Sequence, residues 1–261
     1  MQSTALLDKV AIVTGASSGI GRATALALAE RGAVLVLASR NVVALEQLAQ
    51  QIHTTGRKAL VVPTDVTQID QIERLAQATL SQLGRIDILV ANSGQYIRVP
   101  ISALAISDLE RSMAINFYGG AYAVLAVLPA MLERHSGHIV LVSTMNAKKA
   151  IPPDAPYAAA KFALSGFGEV LRQEVYGTGL HVTTVFPGRV DTPMIQSLQV
   201  PWISAKISPE EVARAIIKAI ERRKVEVILP PQAGLLYLLN VLSPGAADWA
   251  TRVFRLQGWE K

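Results

Sequence analysis

Tyr157 and Lys161 stand four residues apart with three alanines between them, and far upstream lies the glycine-rich run Thr14-Gly-Ala-Ser-Ser-Gly-Ile-Gly21. On a helix, positions i and i+4 are about 40° apart in azimuth, so the phenol and the ammonium share one face. The alanines let a flat ligand come close. A phenol titrates near ~10, and drawing it to neutrality takes roughly 3 units, on the order of 4 kcal/mol in favour of the phenolate. A neighbouring fixed cation is expected to supply part of that. Glycines between a strand and a helix leave the backbone amides at the helix N-terminus open to a pyrophosphate. A proton donor and a pyrophosphate cradle in one chain predict a hydride-transfer enzyme. Tyr157 and Lys161 would be catalytic, with Gly15, Ser17, Ser18, Gly19, Ile20 and Gly21 around the cofactor.

The end of the second apolar run, Leu37-Ala-Ser-Arg40-Asn, bears on which dinucleotide is bound. An acidic side chain there would bind the adenosine ribose 2′-hydroxyl and repel a 2′-phosphate. This chain has none. Arg40 can pair with a phosphate through two donors and Ser39 can add a hydroxyl, so NADP is expected, with NADPH preferred over NADH.

These residues need a scaffold, and the apolar pattern predicts one. The segments Lys9–Thr14, Ala33–Ser39, Ala59–Pro63, Ile86–Ala91, His138–Ser143, His181–Phe186 and Val225–Leu229 read as strands. Stretches of helical period begin near Gly19, Val42, Gln68, Ser102, Ala155 and Pro209. Such alternation predicts an α/β fold: a doubly wound, Rossmann-like parallel sheet of about seven strands, helices on both faces, and ligands at the carboxyl ends of the strands. Residues 1–229 are expected to form one catalytic domain and residues 230–261 a C-terminal helical tail. The chain has 261 residues, 51% of them hydrophobic, and no linker or repeat divides it.

Composition removes several classes of function. Cysteine is absent and His53, His135, His138 and His181 are scattered, so no metal is expected. The formal charge of +5 is spread along the chain. Its one basic run, Arg222-Arg223-Lys224, suits a helix C-terminus, so no nucleic acid is expected either. The N-terminus lacks a basic start followed by a long apolar segment, and a cytoplasmic protein is expected.

Over residues 8 to 229 the chain resembles the short-chain dehydrogenase/reductase family, classical type. The resemblance rests on ordered motifs: TGASSGIG, Asp65-Val66, Ala91-Asn92-Ser93-Gly94, Asn116, Tyr157 with Lys161, and Pro187-Gly188 with Val190 and Thr192. Ser93 replaces the family's usual alanine. The resemblance implies that Asp65 and Val66 contact the adenine, that Asn92, Ser93 and Gly94 border the cofactor, and that Pro187, Gly188, Val190 and Thr192 hold its nicotinamide end. It implies a proton relay in which Asn116 holds a water against Lys161. It also implies a hydroxyl that polarises the substrate oxygen, normally a serine thirteen positions before the tyrosine, which here is Thr144. Ser143 would point to the opposite face of the strand; Thr144 is preferred, and an insertion in the loop that follows would restore Ser143.

The family builds its substrate walls from the loops after strands four, five and six, here Gln95–Ile101, Met145–Pro156 and Arg189–Ile207. Ile97, Val99, Met194, Ile195, Leu198 and Trp202 predict an apolar pocket for a lipophilic ketone or aldehyde. Arg98, Lys148, Lys149 and Arg189 could receive an anionic tail, as of an acyl thioester, but basic residues on loops are more often solvated. In the C-terminal segment, Leu235, Leu238, Leu239 and Leu242 fall on one helical face and are expected to be buried, by the chain's own cleft, by a second subunit or by a lipid surface. The run is far shorter than the ~20 residues that span a bilayer. The family also implies a homodimer through the helices near 102–134 and 155–178, with a tetramer in doubt.

Overall fold

A computed structural model describes residues 6–260; residues 1–5 and 261, the ends of the two predicted units, lie outside the described residues. The seven predicted strands form one parallel sheet. They are β1 (Val10–Thr14), β2 (Val34–Ser39), β3 (Ala59–Pro63), β4 (Ile88–Ala91), β5 (Gly137–Val142), β6 (Leu180–Pro187) and, beyond a short strand, β8 (Glu226–Leu229). Their spatial order is β3-β2-β1-β4-β5-β6-β8. The chain winds outward from β1 to β3, returns to β4 beside β1, and winds outward the other way, so a crevice opens between the carboxyl ends of β1 and β4.

Strand alternation fills two apolar layers. Ala11 and Val13 of β1 face a core shared with Leu28 of α1 (Gly19–Glu30), Leu45 and Leu48 of α2 (Val42–Thr54) and Ile216 of α7 (Pro209–Arg222). Val10 and Ile12 face the other core, with Ile72 and Leu75 of α3 (Ile69–Leu83), Val124 and Met131 of α5 (Gly119–Glu133) and Leu164 of α6 (Ala155–Glu174). Arg222 ends α7, and Arg223 takes a left-handed conformation at its C-cap, as the basic run predicts.

Two elements depart from the predicted pattern. The helix expected from Ser102 to Arg134 is α4 (Ile106–Met113), then a π turn over Ala114–Tyr118, then α5. By length and apolar character Ile106–Glu133 would suffice to cross a membrane. It instead buries Ala121, Ala123, Val124, Val127 and Met131 against the body and carries Pro129 inside α5. The tail is α8 (Ala233–Leu242), α9 (Pro244–Val253) and a short strand β9 (Trp259–Glu260). β9 pairs antiparallel with β7 (Leu198–Gln199), a piece of the predicted substrate loop. Within this chain the expected leucine stripe of α8 is divided: Leu239 lines the cavity beside Leu236, and Leu235 borders it, while Leu235, Leu238 and Leu242 are 69%, 53% and 75% exposed.

Candidate active site

The glycine turn is fixed by main-chain geometry. Thr14, the last residue of β1, accepts at Oγ1 from the N–H groups of Asn92 (3.0 Å) and Ser93 (3.2 Å), which tethers the ends of β1 and β4. Asn92 Nδ2 donates to the carbonyls of Thr14 (3.0 Å) and Gly15 (3.4 Å). Gly15 has φ +65°, and a Cβ on Gly21 would lie 2.3 Å from the Gly15 carbonyl oxygen, so the chain can turn this tightly only with glycine at both positions. Ser18 at the N-cap of α1 makes no side-chain cap, and the first turn has no acidic residue, which leaves the positive helix end open to an anion.

The predicted cofactor residues line one cavity of about 1080 Å³, with Gly21 just behind its wall. That volume exceeds what one small substrate fills. Arg40 is exposed at its edge, beside Ser39, whose Oγ accepts from Asn41 N–H at 3.2 Å. Asp65 accepts at Oδ1 from the amide (3.0 Å) and hydroxyl (2.8 Å) of Thr67. On the far side lie Asn92, Ser93 and Gly94, then Pro187, Gly188, Val190 and Thr192 at and after the end of β6. A cradle that any Cβ would fill, an uncapped helix N-terminus and a basic edge fit a phosphorylated dinucleotide.

At the inner end, β5 delivers two hydroxyls to different surroundings. Ser143 Oγ meets Ser165 Oγ (2.9 Å) and donates to the Lys161 carbonyl (3.2 Å), so its side chain is engaged by α6. Thr144 Oγ1 reaches the Pro187 carbonyl at 3.5 Å and accepts from Asn146 N–H at 3.3 Å, and Thr144 lines the cavity together with Tyr157. Asn116, in the π turn, clasps the chain after β4. It accepts from Gln95 N–H and donates to Gln95 O, both at 2.9 Å, and donates to Ser112 Oγ at 3.1 Å. Its amide therefore bonds protein groups at both ends.

Electrostatics correct one expectation. Burial pushes the Tyr157 phenol up to about 12, and the negative charge of Asp154 adds to the rise. The opposing pull comes from Thr144. Lys161 does share the helix face, but it is 3% exposed and its Nζ donates to the Val142 carbonyl at 2.8 Å. Burial lowers its own pKa to about 8.

The family model for short chain dehydrogenase matches residues 9–201. The chain belongs to the short-chain dehydrogenase/reductase family. It is 36% identical over 226 residues to an uncharacterized oxidoreductase of Listeria monocytogenes, covering 82% of this chain and 91% of the relative. A Staphylococcus aureus uncharacterized oxidoreductase is 35% identical over 221 residues, covering 85% and 94%. Among solved structures, an alcohol dehydrogenase from the archaeon Thermococcus sibiricus, complexed with 5-hydroxy-NADP, is 26% identical with a TM-score of 0.78, covering 85% of this chain and 95% of that one. A short-chain dehydrogenase/reductase from Burkholderia phymatum in complex with NAD shares the fold, with a TM-score of 0.85 at 24% identity over 92% and 95% of the two chains. This short-chain dehydrogenase/reductase is thus an oxidoreductase with a nicotinamide-nucleotide binding fold.

The substrate side of this oxidoreductase differs from the pocket read from sequence. Met194, Ile195, Leu198 and Trp202 line the cavity, whereas Ile97 is buried in the body and Val99 bonds the Pro153 carbonyl at 3.0 Å; neither lines it. The four basic loop residues have partners within the chain, and two of them, Lys149 and Arg189, also line the cavity. Lys148 pairs with Glu226 at 3.1 Å, Lys149 with Asp248, and Arg98 with Asp154 at 3.1 Å, while Arg189 bonds Ser204 Oγ and the Leu256 carbonyl. Tyr96, Asn146 and Asp154 went unnoticed in the sequence. The only signal was an acid three residues before Tyr157, between prolines 153 and 156.

Proposed function

We propose that this protein is a reversible NADP(H)-dependent oxidoreductase that interconverts a lipophilic ketone or aldehyde with its alcohol. The observation that carries the reading is the convergence of Thr144, Tyr157 and Lys161 at the inner end of a cavity whose other end is the glycine turn. A nicotinamide nucleotide held by the glycine turn through its pyrophosphate would supply a hydride for the carbonyl carbon, and the alcohol and the oxidised cofactor would result once a proton had reached the oxygen. Tyr157 gives that proton from its Oη. Burial pushes its pKa up, so the phenol carries that proton across the neutral range. Thr144 holds the substrate oxygen through its hydroxyl, with the donor and acceptor capacity of a serine. Lys161 steadies the nicotinamide ribose and refills the phenol's proton. Asn116 shapes the route by which that proton arrives. Val190 and Thr192 meet the carboxamide.

Relatives bound to 5-hydroxy-NADP and to NAD leave the cofactor open at the level of the family. Here the choice rests on Arg40 and Ser39 with no carboxylate at the end of β2. The apolar wall of Met194, Leu198, Trp202, Leu236, Leu239 and Phe254 supports the lipophilic substrate. The test is a screen of NADPH oxidation over aliphatic, aromatic, steroid-like and oxoacyl carbonyls. Turnover that grows with apolar size supports the reading. NADPH binding with no carbonyl consumed would leave a cofactor-sensing regulator on the same fold.

A further inference from the structure

The basic residues Arg98, Lys148, Lys149 and Arg189 differ in what answers their charge. The first three each have an acid within ion-pair distance, Asp154, Glu226 and Asp248 in that order. Arg189 bonds neutral acceptors, Nη1 donating to Ser204 Oγ and Nη2 to the Leu256 carbonyl, with no acid in contact among the described residues. Its Nε–H is sealed from water and meets no acceptor. Asp154, the buried acid at this end of the molecule, is already met by Tyr96, Asn146 and Arg98. Taking a charge out of water without a counter-ion is costly, and a buried donor left unpaired is rare in a folded protein, so the guanidinium calls for a reason.

The backbone holds this residue in place. The Arg189 carbonyl accepts from Ile207 N–H, and the Ile207 carbonyl accepts from Asp191 N–H, both at 2.9 Å, so the loop Arg189–Ile207 is clasped at its base. Arg189 lines the cavity together with Ser204, Leu256, Met194 and Leu198. We infer that Arg189 receives a carboxylate of the substrate, so that the carbonyl compound reduced at Tyr157 is a lipophilic oxo acid. The inference rests on the carbonyl reduction proposed above and names its substrate class. One arginine without a counter-ion matches one negative charge, whereas a phosphate monoester brings nearly two. The planar fork of a guanidinium also suits the two oxygens of a carboxylate. The wall contributed by Leu236, Leu239 and Phe254 is apolar, so the body joining carbonyl to carboxylate is hydrocarbon. Lys161 is turned to the Val142 carbonyl beside the phenol. Lys206, at the far end of the same loop, lines the cavity too, with its Nζ donating to the Ile195 carbonyl at 2.8 Å, but an ammonium lacks the paired donors.

The experiment sets straight-chain oxo acids of graded length against their methyl esters as substrates for the full-length protein with NADPH. At the best length the acid should show a KM about thirtyfold below that of its ester, and Arg189→Gln should bring the two together. Arg189→Lys should keep part of the advantage, since the charge stays and the fork is lost; Arg189→Met serves if the glutamine protein melts early. Lys206→Gln should keep the acid-to-ester ratio of the parent, and loss of the ratio there with its survival in Arg189→Gln would overturn the assignment. A guanidinium that only fastens the tail to the loop would make acid and ester lose alike, and that result would overturn the inference too. So would equal KM values for acid and ester in a protein that reduces both, and the reaction would then stand. Binding is read separately, by calorimetric titration of decanoate and decanol into the NADPH-loaded protein. Decanoate that binds more tightly than decanol, and loses that margin in Arg189→Gln, would support the carboxylate site even where no carbonyl is turned over, an outcome that overturns the reaction alone.

Discussion

At the glycine turn, positions are set by the main chain: Thr14, Gly15, Gly21 and Asn92 lock to one another through backbone groups on adjacent strands. At the substrate end they are set by long side chains reaching across the fold, from Lys149 to Asp248, Arg98 to Gln257 and Arg189 to Leu256. The first region is rigid because the sheet behind it is rigid. The second closes by docking the tail, whose helices leave Leu235, Leu238, Leu242 and Trp249 facing solvent. Elements with few buried apolar contacts belong to the low-stability end of a protein. Under the proposed function, cofactor binding would belong to the sheet and substrate size selection to the tail, with the proton chemistry on α6 between them.

The comparison is broken most severely at the border. Tyr157→Phe should lower kcat/KM for carbonyl reduction at least about a thousandfold, roughly 4 kcal/mol. NADPH should still bind within a factor of a few, because the phenol gives its proton in the transition state and little to the bound cofactor. Cofactor titration beside steady-state rates checks both halves of that statement. Next in size, Thr144→Ala should cost about a hundredfold in kcat, the loss typical of one donor to a developing oxyanion. Ser143→Ala, which touches only Ser165 and the Lys161 carbonyl, should cost several times less. The reverse order would move the substrate oxygen to Ser143.

On the cofactor side, Arg40→Asp should weaken NADPH by about 2 kcal/mol and invert the preference toward NADH, since a charge-assisted contact is replaced by a repulsion. Equal dissociation constants for the two nucleotides in the unaltered protein would defeat the assignment. The smallest effect belongs to the tail. Deleting residues 232–261 should leave the NADPH dissociation constant unchanged and raise KM about tenfold for long apolar carbonyls, and less for small ones, because Leu236, Leu239 and Phe254 contribute burial only to a substrate that reaches them. Equal loss for large and small substrates, or a shift in sedimentation from dimer to monomer, would reassign the tail to a subunit interface.

The same division decides what was legible in the sequence. The seven strands could be read to within a residue or two because each is an apolar run bounded by a turn, and the crevice follows from their order. The opposite placement of Ser143 and Thr144 follows from the period of two along β5. The interruption between α4 and α5 was hidden in one long apolar stretch, since a π turn leaves no spacing signal beyond a polar Asn116 among apolar neighbours. The leucine stripe of α8 was legible as a shared face, but helical period does not say what covers it: Leu239 lines the cavity while Leu238 and Leu242 stay exposed within this chain. Lys161 was placed correctly on the helix, but its bond to Val142 depends on a strand nineteen residues away. The Asp154 cluster, spanning Tyr96 to Gln257, exists only once two loops and the tail have met.

The measurement that bears most directly on the central claim is isotope transfer. The protein is given NADPH deuterated at the transferable position of the nicotinamide together with a lipophilic ketone, and the product is examined by mass spectrometry. The account predicts an alcohol with one deuterium on the carbinol carbon for each NADPH consumed, and none from the Tyr157→Phe protein. Alcohol without the label, or NADPH that binds in the cavity and is never oxidised by any carbonyl, would contradict it.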